Sequence, residues 1–493
     1  MPPWPPSRGR TSFLGERILT DSQIALLSEW VTNGAPEGNT GDLPKSPKFD
    51  TKWQLGKPDL VLTTSEPFTV PADGPDIYRN FVIRVPNTVR RWIKAVEILP
   101  EPQSVVHHAF ILLDKTGEAR RLDEREPGPG FSGMNPGTNS TMPQGYFATW
   151  HPGSTTREAT PGISWALNPN TDIVLQMHIR PRGKPENLRA SIGLYFTDKP
   201  PTKFPFCLLL RSTSLDIPAG DPAYMTESSY QLPCDVWVHS CLPHAHYLAK
   251  DVHGWAELPN GSSQDILHIP AWNFDWQNDY VLREPFLLPK GSTLRMRYTF
   301  DNSSANIRNP STPPKRVLYG PQSDDEMAEL WLQLIPSKPE NFSVLQNDYF
   351  STYGLKDVIS TNKALLARDP NSTAAHVQLS TALAASNRFE EALFQLRKAA
   401  EIDPTTPQAF RIMGQIYMRQ QKAEAARTAF EKALQTDPKD PIAHSELGWT
   451  LVFLGQLPDG ISHLETALVI DPTDEKTRAH LQQARALENK TKR

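Results

Sequence analysis

The chain has 493 residues, more than one hydrophobic core comfortably serves, so several domains are expected. Its 47 prolines, close to twice the usual share of about 5%, exclude an all-helical protein and point to many turns and strand edges. A formal net charge of -4 leaves no basic field for nucleic acid, and no apolar run approaches the roughly 18 residues a membrane span needs.

In chain order, residues 1–19 hold no apolar stretch of the kind that heads a signal peptide. An amphipathic helix is predicted from Ser22 to Val31, with Asp21 as N-cap and Gly34 as the stop, and an extended, proline-punctuated linker carries the chain to about residue 50. From there to residue 338, short apolar runs such as 81–85, 109–113, 172–176 and 294–298 are separated by Pro, Gly and Asn turns, the pattern of antiparallel sandwiches. A break at Lys199-Pro200-Pro201-Thr202 divides this region into two β-rich units, 51–200 and 201–338.

Residues 339–493 have a different texture. Asp369-Pro370, Asp403-Pro404, Asp437-Pro438 and Asp471-Pro472 recur every 34 residues, the period of tetratricopeptide repeats. In the middle repeat Phe410, Met413, Gly414, Tyr417, Ala426, Phe430, Ala433 and Pro438 take the aromatic, small and proline positions. Three helix pairs and a terminal helix from about residue 473 are predicted, an all-α solenoid whose groove suits a protein partner.

Only three cysteines are present, Cys207, Cys234 and Cys241, so neither a disulfide framework nor a multi-thiolate metal site can be built. Cys234 and Cys241 are either one disulfide or two small buried residues. Nine of the 13 histidines lie between His107 and His268. Within that stretch His107 and His108 are adjacent, and in a regular strand their rings would point to opposite faces, so one metal requires a strand end or a twist there. Gln176 and His178 share a face by period-2 alternation, as do His244 and His246. Each motif alone also reads as ordinary core or surface histidine. His239 and His253 lie near the last pair but off its pattern, His151 and His268 carry no assigned role, and His376 and His444 occupy one repeat position, where packing is the expectation.

Together with Ser323-Asp324-Asp325-Glu326-Met327, the ordered set His-His, Gln-x-His, His-x-His, Ser-x-Asp-Glu-Met resembles the copper type II, ascorbate-dependent monooxygenases, the family of peptidylglycine α-hydroxylating monooxygenase and dopamine β-monooxygenase. The resemblance covers about residues 50 to 335. It implies two jelly-roll-like sandwich domains with two separate mononuclear copper sites. His107, His108 and His178 would hold an electron-transfer copper, and His244, His246 and Met327 an oxygen-binding copper, with Gln176 between them. Three imidazoles tolerate both copper oxidation states, and a thioether favours Cu(I). Met327 stands in an acidic segment, where core packing is not expected. Zinc is the main alternative for a three-histidine site, with the methionine counting against it.

The resemblance is nearest to a bacterial branch in which 272–277, 288–291 and a tetratricopeptide tail recur. There Trp30-Val31 and 34–38 resemble the last helix of a c-type cytochrome domain, so residues 1–50 read as its remnant plus linker. No Cys-x-x-Cys-His is present, so this chain binds no covalent haem. Either the reading frame begins too late, losing a cytochrome and a secretion signal, or the electron donor is a separate molecule such as ascorbate or a c-type cytochrome. Leu242 replaces the arginine with which the peptide-amidating enzymes hold a peptide carboxylate, which counts against glycine-extended peptides. The resemblance thus implies a periplasmic or extracellular oxidoreductase, with cytoplasmic placement the alternative, that hydroxylates a C–H bond of a small molecule or peptide using O2. The reading from a different class is a non-catalytic copper-binding scaffold acting through its repeats.

Overall fold

The computed structural model describes residues 4–45, 53–137, 140–143, 145–146 and 148–491. An amino-terminal region of antiparallel β-sheets is followed by an all-α repeat region.

The sheets stack as two sandwiches. In the first, one sheet runs in the order Leu60–Thr63, Glu186–Thr197, Arg91–Glu101, Trp165–Leu167, with Phe68–Val70 also on Glu186–Thr197. The other runs Phe131–Ser132, Ile77–Arg84, Asp172–Ile179, Val106–Asp114, Thr149–Trp150. Alternation explains what each strand buries. Ile173, Leu175, Met177 and Ile179 enter the core beside Ala109, Ile111 and Leu113, while Val174, Gln176 and His178 take the outer face.

One irregularity matters for the site. Val106 pairs with Ile179 and His108 with His178, so His107 is an inserted, unpaired residue. Such a bulge lets two consecutive side chains share a face. It is the twist that the His107-His108 pair demanded.

The second sandwich places Phe206–Arg211, Glu329–Pro336, Val236–His244 and Tyr280–Leu288 in one sheet, and Tyr224–Gln231, Thr293–Phe300, Ala249–Glu257 and Ser263–Ile269 in the other. Strand Val236–His244 is bulged too: Val238 pairs with Leu334 and Ser240 with Gln333, skipping His239. Before the bulge the even positions Val236 and Val238 face the core; after it the odd positions Cys241 and Ala245 do. The insertion therefore turns Ser240, Leu242 and His244 outward, toward the first sandwich, where Gln333 beside Ser240 donates to the Gly145 carbonyl at 2.7 Å.

The amino-terminal residues before the first helix join the second sandwich. Leu14 N–H donates to Val281 O at 2.8 Å and Arg283 N–H to Ser12 O at 2.9 Å, extending the second sandwich at its edge, and Phe13 is buried among Trp4 and Tyr280. The helix spans Asp21–Thr32, and Thr20, not Asp21, is its N-cap: Thr20 Oγ1 accepts from Gln23 N–H at 3.2 Å while Gln23 Oε1 accepts from Thr20 N–H at 2.8 Å. No residue of that helix is buried. Cys234 and Cys241 are free thiols. Cys241 sits within strand Val236–His244 and Cys234 just before it, a run of chain that at roughly 3.3 Å per residue leaves the two sulfurs far beyond bridging distance.

The carboxyl-terminal region pairs Thr373–Ala385 with Phe389–Ile402, Pro407–Arg419 with Ala423–Thr436 and Pro441–Phe453 with Leu457–Ile470, and closes on Glu475–Thr491. The 34-residue period has a local cause. Asp369 follows helix Leu355–Arg368, Asp403, Asp437 and Asp471 each follow the second helix of a pair, and each carboxylate accepts the backbone N–H two residues on, at 2.9 to 3.2 Å. The proline after each prevents the helix continuing. Gly414 is small because a Cβ there would come within 2.5 Å of the Phe430 ring.

The helical region is fastened to both sandwiches. Helix Asn341–Tyr349 and the turn 350–354 put Tyr349 and Tyr353 against strand Phe206–Arg211, their hydroxyls bonded to the backbone of Leu209 and Arg211 at 2.7 to 3.3 Å. At the far side Arg121, from the short helix Glu118–Asp123 of the first sandwich, pairs with Asp437, and Gln408 donates to Glu118.

Candidate metal centre

The outer faces of the two sandwiches meet at histidines. His107, His108 and His178 are all buried, and one ring nitrogen from each lies within 4.8 Å of the others. The rings of His107 and His108 are 5.1 Å apart and each is about 5 Å from His178. Facing them are His244, with its ring 5.8 Å from that of His108, and His246, 5.2 Å from His244. The two donor sets were expected as separate centres; the structure brings them into one group, buried but for the half-buried His244. His151, to which the sequence assigned nothing, stands 6.0 Å from His108 at its edge.

The groups bonded behind each ring decide which nitrogen it presents. The Asp76 carboxylate lies 2.9 Å from His178 Nε2 and can only accept, so Nε2 bears the proton and Nδ1 keeps its lone pair, with the Tyr78 hydroxyl 3.5 Å from it and donating instead to the Pro321 carbonyl at 2.8 Å. His107 Nδ1 and His108 Nδ1 face each other at 3.0 Å. Across the interface the sense is reversed. Gln277 donates through its Nε2 to Phe274 O, which turns its Oε1 to His244 Nδ1 at 2.6 Å. The Asp325 carbonyl takes His246 Nδ1 at 3.1 Å. Both rings are left with Nε2 as donor atom.

Burial sets the charge state. It pushes His107, His108 and His246 well below the ordinary histidine range, with the neighbouring imidazoles adding to the effect, and lowers His244 against the pull of Glu329. His151 falls to about 3 for the same reason. Burial would raise the Asp76 carboxyl, but its hydrogen bonds to His178 and Ser323 and the charge of Arg180 outweigh it and hold it below its usual value. The uncharged rings of His107, His108 and His246 are what a metal needs, since only the unprotonated nitrogen binds.

The segment 272–277 builds the wall between the two sets. Phe274 stacks on His107 with ring centres 4.1 Å apart and meets His246 edge-on at 5.6 Å, while Trp272 Nε1 donates to the His246 carbonyl at 3.0 Å. Glu326, fully buried, accepts the backbone N–H groups of His246, of Leu248 at 2.9 Å and of Met327 at 2.9 Å, tying loop 245–248 to residues 325–327. Burial raises its carboxyl to about 8.

Three of the sequence-derived residues are placed differently from expectation. Met327 is 8% exposed and belongs to the hydrophobic core of the second sandwich, because Glu326 buries the acidic segment by satisfying backbone amides. Its backbone adjoins the His246 loop. Gln176 shares the outer face with His178, but its amide bonds Asn80 Oδ1 at 2.9 Å and the Met134 carbonyl at 3.0 Å rather than entering the histidine group. His246 lies past the end of strand Val236–His244, so the pair straddles a strand terminus instead of sharing one strand. Asp76 and Gln277 carried no sequence signal of their own beyond, for Gln277, its place in the 272–277 motif.

His253, His268, His376 and His444 are structural. His253 and His268 bond Asp265 and Asp251 at 2.7 and 2.8 Å on the outer sheet. His376 and His444 each hold the carbonyl of an Asp-Pro proline, Pro370 and Pro438, at 3.0 and 3.1 Å.

Comparison with known proteins bears on the helical region. Residues 359–416 match a tetratricopeptide repeat family model and 414–452 a TPR repeat model. The carboxyl-terminal region carries tetratricopeptide repeats. Similar solved structures include MamA, 22% identical, covering 29% of this chain and 84% of that one with a TM-score of 0.27. The first TPR of Spaghetti (RPAP3), bound to the HSP90 peptide SRMEEVD, is 19% identical and covers 24% of this chain and 93% of that one, with a TM-score of 0.23. No curated protein matches the chain. No helix among the described residues is long and apolar enough to cross a membrane.

Proposed function

We propose that the protein is a copper-binding scaffold: a histidine-held metal between two sandwiches, joined to a tetratricopeptide region that engages a protein partner. The observation that carries the metal reading is the convergence of His107, His108 and His178. Two imidazoles on one ion with bonds of about 2.0 Å sit about 3.3 Å apart in tetrahedral geometry, and the His107–His108 nitrogens are already 3.0 Å apart. A purely imidazole donor set, with carboxylates only behind it, suits copper or zinc and not magnesium or calcium. The resemblance of the histidine motifs to those of the copper monooxygenases favours copper over zinc. Bound there, copper would supply one-electron transfer and, at an open position, oxygen activation.

The chain's own residues have defined parts in this reading. Asp76 and Gln277 orient the rings, Phe274 with Trp272 keeps water out of the space between them, and Glu326 fixes the loop that carries His246. Metal analysis after loading with copper and zinc together tests it. Copper retained in stoichiometric amount, and lost in His108→Ala and His178→Ala, supports the reading; retention of zinc alone, or of no metal, refutes it.

The adjacency of His244 and His246 to the first set supports a second reading, a copper-dependent monooxygenase hydroxylating a C–H bond with O2 and an external one-electron donor, outside the cytoplasm. Oxygen consumption that requires both copper and ascorbate and is abolished in His244→Ala separates it from the scaffold.

A further inference from the structure

The inserted residue of strand Val236–His244 has a second consequence. His239 is 4% exposed, and among the described residues it has no hydrogen-bond partner. It opens instead into a cavity of about 450 Å3 between that strand, the 202–204 link joining the sandwiches and the start of the helical region. Phe204, Trp237, Pro336 and Phe342 supply apolar walls. Lys203, exposed and in no ion pair among the described residues, is the one cation lining it, and no acidic residue does.

The ring nitrogens of His239 meet the cavity rather than a protein partner, so they are free to bond a molecule that enters it. Burial, with the charge of Lys203 adding, lowers His239 to about 4, so near neutral pH the ring has one N–H to donate and no charge of its own. A cationic ligand would meet Lys203; an acceptor carrying negative charge is matched by both groups. The volume and aromatic walls are those of a small-molecule pocket with a few polar anchors.

We propose that this cavity binds a small molecule with an apolar or aromatic body and a single carboxylate, the body against Phe204, Trp237 and Phe342 and the carboxylate between the Lys203 ammonium and the His239 N–H. The site does not depend on the metal centre. It shares with it the strand that ends at His244, five residues beyond His239.

Isothermal titration calorimetry of the full chain tests the assignment with 3-phenylpropionate as probe. Saturable binding at one site is expected, with 3-phenylpropan-1-ol at least about tenfold weaker. Lys203→Met, on the surface, and His239→Leu should each weaken the acid at least about tenfold and leave the alcohol unchanged. Lack of saturable binding by the unaltered protein, equal affinity for acid and alcohol, or undiminished affinity in Lys203→Met would overturn the proposal. The lysine variant keeps the test valid if His239→Leu fails to fold.

Discussion

Asp76→Asn separates the metal centre from a chance gathering of buried rings. The substitution keeps the shape of the group that holds His178 and removes its charge. In the unaltered protein the carboxylate lies 2.9 Å from His178 Nε2, and its partners keep it ionised. A hydrogen bond to a charged group contributes about 1.5–3 kcal/mol and a neutral one about 1 kcal/mol. The exchange should therefore cost the ring about 1–2 kcal/mol of orientation and basicity, a loss of roughly 5- to 30-fold in copper affinity, and Asp76→Ala, which also frees the proton to move to Nδ1, should cost about 100-fold. Competition against a colorimetric copper chelator reads the affinity. Because Asp76 also accepts from Ser323 N–H at 3.3 Å across the sandwich interface, the melting temperature of each metal-free variant is measured alongside. Copper affinity within about twofold of the unaltered protein in both variants, with folding intact, would falsify the placement of His178 as a ligand.

Three further outcomes are expected. Gly414→Ala gains about 1 kcal/mol of helix propensity but drives a Cβ to 2.5 Å from the Phe430 ring, an overpacking cost of about 1–3 kcal/mol; denaturant unfolding should show net destabilisation, and a stabilised variant would contradict the helix spacing. Arg121→Ala leaves the buried Asp437 carboxylate without its cation, a loss on the order of 3 kcal/mol that should appear as faster amide exchange in 423–440, and unchanged exchange there would refute the docking of the repeats on the first sandwich. Burial, helped by the Glu329 charge and opposed by Arg211, raises Asp357 from 3.8 to about 6. A raised carboxyl binds its proton more tightly in the folded state, so its contribution is complete below about pH 4 and is lost as pH rises past about 6, at most about 3 kcal/mol. Asp357→Asn should flatten the fall in thermal midpoint between those values, and parallel profiles would disprove the assignment.

How much of this was legible in the sequence differs by kind of signal. The repeat region was readable because its period is written in covalent terms: an aspartate whose carboxylate closes the turn and a proline that stops the helix recur where the geometry needs them. The candidate residues were readable as a spatial group, since His107, His108, His178, His244 and His246 do gather. Their supports were not. Asp76 lies 102 positions from His178 and Gln277 lies 33 from His244, and nothing local distinguishes either from a surface residue. Met327 looked polar in context because the argument that Glu326 would be satisfied by three backbone amides, burying its neighbour, requires the fold. The amino-terminal residues hid for a related reason: Phe13 contributes one side chain to a core whose strand, Tyr280–Leu288, is far along the chain.

The deepest gap concerns register. Alternation assigns a face to every strand residue, yet both histidine-bearing strands contain one inserted residue, and each insertion reverses the assignment downstream. Without the insertion at His107, His108 would face the core in place of Ala109. Without the one at His239, His244 would turn inward where Pro243 and Cys241 now point. Motif spacing alone therefore does not determine that these imidazoles share a space; two one-residue insertions do. Deleting His239 together with Ser240 should turn Leu242 and His244 inward, and if the second sandwich tolerates that deletion with its copper stoichiometry unchanged, His244 takes no part in the centre.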